Sequence, residues 1–170
     1  MSSFKSLLEE TLEAWEDTRL GLIEEVENIP PDKFDFRPTP EVRSVKELVV
    51  HILEVAMMMT GELTRSDTNF RRAPWPKLLD MYASEAYQAN RKEELVKLLK
   101  TQFEDAEKKF HEVGELHMLQ LIRRFDGQLG TRLAWLQHGI AQEMYHRGQL
   151  TLYQRLMGTE PALTKRIRGG

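Results

Sequence analysis

Three side chains with metal-binding or proton-handling chemistry recur every four residues in QHGIAQEMYHRGQ, residues 137–149: His138, Gln142 and His146. In a helix that turns by about 100° per residue they fall within an arc of roughly 80°, and Gln149 and Tyr153 share that arc. One helix face therefore carries a stripe of imidazole and amide donors inside an otherwise apolar pattern. Donor side chains four residues apart on a helix are a recurring arrangement for a transition metal. A single histidine at the edge of an apolar face, such as His51, is in isolation more often a hydrogen-bonded core residue than a ligand. Facing helices of a bundle build metal sites jointly, however, and His51 opposite His146 would supply the second helix that such a site needs.

The rest of the composition narrows the chemistry. The 170 residues contain no cysteine and five histidines, so disulfides, thiolate metal sites and a cysteine nucleophile are excluded. No Ser-His-Asp order or paired-carboxylate motif offers another catalytic route. The net charge of -3, with acidic and basic residues interleaved, argues against nucleic acid as a partner. The amphipathic, acidic start MSSFKSLLEETLEAWED is unlike a signal peptide, and no window has the length and apolarity of a membrane span. A cytoplasmic location with no membrane partner is the expectation.

The helices that must position these donors are legible in the periodicity. Phe4, Leu8, Thr11, Trp15, Thr18, Leu22 and Val26 mark a long amphipathic first helix. Four prolines between Asn28 and Pro40 end it. Ser44 and Glu47 form a capping-box signature that opens a second helix running to about Leu63 and carrying His51. Residues 66–76 read as a long loop, followed by a short helix near Lys77 to Glu85. Leu95, Leu99, Phe103, Ala106, Phe110 and Val113 define a third long helix, and Asp126, Gly127 and Gly130 a further connection. A fourth helix, from about Thr131 to Met157, is apolar nearly all round and so is expected to be the most buried. The basic tail at 165–170 is expected to be frayed. The pattern predicts an all-α four-helix bundle with a short extra helix after helix two, in a single domain over 1–170.

Two segments carry a resemblance. IPPDKFDFRPTPEVRSVKELVVHILEV, with its spaced prolines, capping serine and helix-two histidine, and YHRGQL in the fourth helix resemble the corresponding segments of the DinB family, and the element order agrees. The likeness spans nearly the whole chain. It implies the DinB/YfiT-like helical bundle, whose relatives include thiol transferases, and a divalent metal, nickel or zinc, held by one histidine of helix two and two of helix four. Carried over, the ligands are His51 and His146, while the remaining family histidine falls on Gln142. An amide oxygen is a poorer donor than imidazole to such metals. Three outcomes stay open. Gln142 coordinates weakly; His138 or Glu143 substitutes for it; or the metal is lost and Gln142 hydrogen-bonds His51 and His146 in a dry polar network.

Around this set, Arg147 is expected to pair with a carboxylate, Gln149 to orient a site histidine, and mid-helix Gly148 to admit a closely packed neighbour. Tyr145 and Tyr153 read as core residues. Arg71, Arg72 and Trp75 read as a solvated loop with Trp75 plugged into the bundle, and His111 and His117 have no ligand-like partner. The run Met57–Met59 can face the core only in part, and the rest is expected to meet a partner subunit, as in the homodimer the resemblance implies. Two functions compete: a metal-dependent enzyme that adds a low-molecular-weight thiol to a small-molecule electrophile or hydrolyses its substrate, and a noncatalytic stress-related bundle acting as scaffold or small-molecule binder.

Overall fold

The computed structural model describes residues 5–169, so Phe4 of the first helical pattern and Gly170 of the tail lie outside the described residues. Four long helices form the bundle: α1 (Leu7–Asn28), α2 (Val45–Leu63), α5 (Lys92–Met118) and α6 (Arg132–Leu156). Two short helices, α3 (Trp75–Asp80) and α4 (Ser84–Gln88), stand where the sequence predicts one. Reciprocal capping boxes open α1 at Ser6 and Glu9 and α2 at Ser44 and Glu47, satisfying backbone donors that the first helical turn leaves without partners. Gly114, at φ 76°, interrupts α5 before its last turn, a conformation that costs a residue with a side chain far more than glycine.

Each of α1 and α2 packs against both α5 and α6. The order around the bundle is therefore α1, α5, α2, α6, with the sequence neighbours α1 and α2 on a diagonal. This order sets α2 beside α6, which is what brings His51 to the stripe of the last long helix. Two apolar clusters fill the two ends of the interior, one around Trp15, Met58, Phe110 and Leu136, the other around Leu22, Leu48, Leu99 and Leu150. Between them lies a belt of buried polar side chains that includes Arg19, Gln102, Glu143 and His146.

Several expectations are corrected. Helix α6 is not the most buried: Met144, Tyr145, Leu152 and Leu156 are exposed, whereas α2 buries most of its length because it packs against α3 and α4 as well as the bundle. The connection after α5 is a two-stranded antiparallel hairpin, β1 (Leu121–Arg123) and β2 (Leu129–Thr131), with strands too short to show alternation. The basic tail forms helix α7 (Ala162–Gly169). Its first backbone N–H groups donate to the buried carboxylate of Glu25, Ala162 at 2.8 Å and Leu163 at 3.1 Å, so a distant carboxylate supplies the cap that the local sequence lacks. Met58 and Met59 are buried in the bundle and Met57 is half-buried.

Candidate metal centre

His51 lies at the edge of the apolar face of α2, opposite His146 of α6, with ring centroids 5.0 Å apart and nearly perpendicular planes. Each ring is held through Nδ1. His51 Nδ1 is 2.6 Å from Glu54 Oε1, one turn along α2, and His146 Nδ1 is 2.7 Å from Gln149 Oε1, one turn along α6. Both partners are acceptors, so in each neutral ring Nδ1 carries the hydrogen and Nε2 keeps a lone pair. Helical spacing thus fixes both tautomers in the form that ligates through Nε2. Gln142, one turn before His146, points its amide Nε2 to within 3.3 Å of His51 Nε2, the contact expected of a donor to that lone pair. Among the described residues His146 Nε2 has no hydrogen-bond partner.

A second layer fixes the first. Tyr87 of α4 donates to Glu54 Oε2 at 2.7 Å, and Gln149 Nε2 donates to Tyr145 Oη at 3.4 Å. Burial pushes the Glu54 carboxyl up, yet the hydrogen bonds from His51 and Tyr87 outweigh it and hold the group below the usual carboxylate range. The Tyr87 hydroxyl is raised by burial and by its bond to Glu54, so it remains a donor. Burial also lowers His146 below the ordinary imidazole value, against a smaller opposing effect of Gln149. Its ring is neutral at neutral pH, the protonation state a metal requires.

The donor set fits a divalent ion in outline. Imidazole nitrogens about 2.0–2.1 Å from a tetrahedral metal place the two ring centroids about 5 Å apart, and the observed separation is 5.0 Å. A cavity of about 10 Å³, walled mostly by apolar side chains such as Ile52, Val55 and Leu136 and reached by Gln142, Glu143 and His146, adjoins His146, roughly the size that accommodates one water. The third donor is the weak point: among the described residues no group of three His, Cys, Asp or Glu side chains is arranged to hold a metal. The Gln142 amide oxygen completes the set if the amide turns over, at the expense of its bond to His51.

Neither substitute ligand joins the pair. Glu143 is directed to the other side of α6, where its carboxylate accepts from Arg19 Nε at 2.6 Å, Arg19 Nη2 at 2.9 Å and Trp15 Nε1 at 3.0 Å. His138 is exposed and stacks on Trp135, centroids 5.0 Å apart. Arg147 pairs with no carboxylate among the described residues; its guanidinium lies over Gly21 of α1, where a Cβ would come within 2.3 Å of Cζ. That is the close approach the sequence assigns to Gly148, which faces open space. Tyr153 donates to the Arg43 carbonyl at 3.0 Å. Arg72 pairs with buried Glu62, Trp75 packs edge-on against Phe125, and His117 bonds the Leu63 carbonyl. Glu54 and Tyr87 are the site residues that sequence reading misses. The i, i+3 spacing of His51 and Glu54 is a visible signal, whereas nothing local links Tyr87 to either.

Residues 1–168 match the family model described as the DinB family. No curated protein matches the chain. Among solved structures, a DinB-like protein of Bacillus subtilis, YjoA, is 24% identical, covers 88% of this chain and 92% of its own, and has a TM-score of 0.66. YfiT of Bacillus subtilis, described as a probable metal-dependent hydrolase with an unusual four-helix bundle topology, is 17% identical over 94% of this chain and 93% of its own, TM-score 0.67. A mycothiol-dependent maleylpyruvate isomerase is 13% identical over 86% of this chain and 63% of its own, TM-score 0.67. At these identities the likeness is one of fold.

Proposed function

The chain belongs to the DinB family, and from that premise we propose that it is a metal-dependent enzyme that transfers a low-molecular-weight thiol to a small-molecule electrophile, using a divalent ion, nickel or zinc, between α2 and α6. The observation that carries the reading is the pair His51 and His146, facing each other with centroids 5.0 Å apart and both fastened through Nδ1, so that each Nε2 keeps its lone pair, that of His51 in contact with the Gln142 amide. A divalent ion bound there would supply Lewis acidity and lower the pKa of a coordinated thiol or water. The YfiT and isomerase structures support this reading by fold likeness, the first by its described metal dependence and the second by its thiol dependence.

Within it, the protein's own side chains have distinct tasks. His51 and His146 are the ligands, and Gln142 the third, weaker one. Glu54 accepts the Nδ1 proton of His51 and fixes the ring, and Tyr87 keeps that carboxylate in place. Gln149 does the same for His146. In the overall transfer a sulfur–hydrogen bond gives way to a sulfur–carbon bond and the proton passes to the adduct, so no oxidant is consumed.

A second reading rests on one contact. The Gln142 amide already contacts His51 Nε2, linking α6 to α2 through a polar contact of the kind that a noncatalytic bundle would retain after losing its metal. Metal analysis of protein purified without an affinity tag separates the two. Stoichiometric divalent metal in wild type, lost in His51→Ala and tightened in Gln142→His, is expected for the enzyme. If neither wild type nor Gln142→His retains metal, the metalloenzyme reading fails. Thiol consumption with a panel of electrophiles tests the reaction class, and a rate unchanged by His146→Ala would refute it.

A further inference from the structure

Beside the histidine pair the bundle opens into a cleft of about 480 Å³, with walls drawn from separate parts of the chain. Trp75 comes from the start of α3, Phe125 from the hairpin turn, Trp135 and His138 from α6, and Met59 and Gln142 close the end nearest the candidate metal centre. The volume lies in the range of small-molecule sites. Its lining residues include no carboxylate, lysine or arginine, and the titratable group among them is the His138 imidazole; Arg124, not part of the lining, lies over the Trp135 ring at 5.0 Å. The four rings form a continuous chain: Trp75 to Phe125 at 4.5 Å, Phe125 to Trp135 at 5.9 Å and Trp135 to His138 at 5.0 Å, with interplanar angles of 69°, 52° and 54°. The outer wall is held in place, because the Phe70 N–H bonds the Arg123 carbonyl of β1 and the Phe70 ring packs on both Phe125 and Trp135.

Rings set at these mixed angles offer a guest both faces and edges. A flat π-system gains from each contact beyond the area it buries, while a saturated ring of the same size gains only the area. The lining holds no permanently charged side chain to offset a charge on the guest, so an uncharged guest loses least on leaving water. We propose that this cleft binds a planar aromatic or conjugated, uncharged small molecule, presented through Gln142 towards His51 and His146. The binding stands on the cleft alone; only the identity of this guest as the electrophile rests on the function proposed above.

The test uses intact protein and two probes with the same carbon skeleton, 2-naphthol and decahydro-2-naphthol, measured by titration calorimetry. Two of the three tryptophans line the cleft while Trp15 is buried in the core, so quenching of indole fluorescence in wild type gives an independent signal. The aromatic probe is expected to bind at least about tenfold more tightly than the saturated one, and Trp75→Ala or Phe125→Ala to remove that preference. Trp75→Phe keeps a ring at the mouth and is expected to retain the preference, which separates loss of the cleft from loss of the fold. His51→Ala and metal-stripped protein are expected to bind as wild type does, so a failed metal centre leaves this result standing. Equal affinity for the two probes, binding of neither, or unchanged preference in both alanine variants would overturn the proposal. Binding that needs His51 but not Trp75 would also overturn it, by moving the guest onto the histidine pair.

Discussion

Gln142 and Glu143 are adjacent on α6, yet they enter two polar clusters of opposite character. Towards α1 and α5, Glu143 receives three hydrogen bonds from Arg19 and Trp15, while Arg19 Nη1 donates to the Leu99 carbonyl and to Gln102. Every strong donor in that cluster meets an acceptor, and both charged side chains are almost fully buried, with 1% and 4% of their side-chain surface exposed. Towards α2, the cluster of His51, Gln142 and His146 leaves His146 Nε2 without a partner among the described residues and joins His51 to Gln142 by a long contact of 3.3 Å. The first cluster closes on itself and fixes how three helices meet. The second is oriented from behind and open in front, the arrangement expected of a binding site.

If that contrast is sound, mutations in the two clusters separate stability from binding. The largest stability effect belongs to Glu143→Gln, which leaves the buried Arg19 charge uncompensated. A loss of about 3–5 kcal/mol in denaturant unfolding is expected, with retained metal unchanged in the protein that folds. A mild effect would mean that Arg19 finds another acceptor and that the closed cluster is not structural. Glu54→Gln acts on the open cluster: it removes the carboxylate behind His51 and is expected to weaken metal affinity about 10- to 100-fold, read by competition with a chelator, with little change in unfolding free energy. If instead it destabilises the fold as Glu143→Gln does, the distinction between the clusters collapses.

Gly148→Ala touches neither cluster and meets no atom, so it should stabilise α6 by about 0.5–1 kcal/mol, providing a reference for the helix itself. The smallest effect is pH dependence in metal-free protein. Burial holds folded His146 below its ordinary value, so the unfolded chain takes up a proton near pH 6.5 while the folded ring stays neutral. The stability this contributes is present above that pH and is lost as pH falls through the folded value. His146→Gln should flatten this slope in unfolding experiments between neutral and mildly acidic pH; an unchanged slope would place the titration elsewhere.

How far the site was legible depended on whether its contacts are local. His51, Gln142, His146 and Gln149 follow from helical spacing and motif, and the capping box at Ser44 is read from four residues. Glu54 is local too, one turn from His51. Tyr87, Phe125 and Trp75 reach the site and its cleft from α4, a hairpin turn and the start of α3, and no periodicity connects them to it. The error over Gly148 has the same origin: a mid-helix glycine signals close packing, but only the rotation of α6 against α1 reveals that Gly21, beneath Arg147, is the position that needs it.

Periodicity and capping determine which segments are helical and which side chains share a face, because those relations depend on neighbours three and four residues apart. They placed a histidine stripe on the last long helix and a lone histidine on the second. Whether the two meet, and whether Glu143 turns to the metal side or to Arg19, depended on the order α1, α5, α2, α6 around the bundle. That order is set by the burial of apolar faces between segments far apart in the chain, and the tertiary structure alone records which faces found each other.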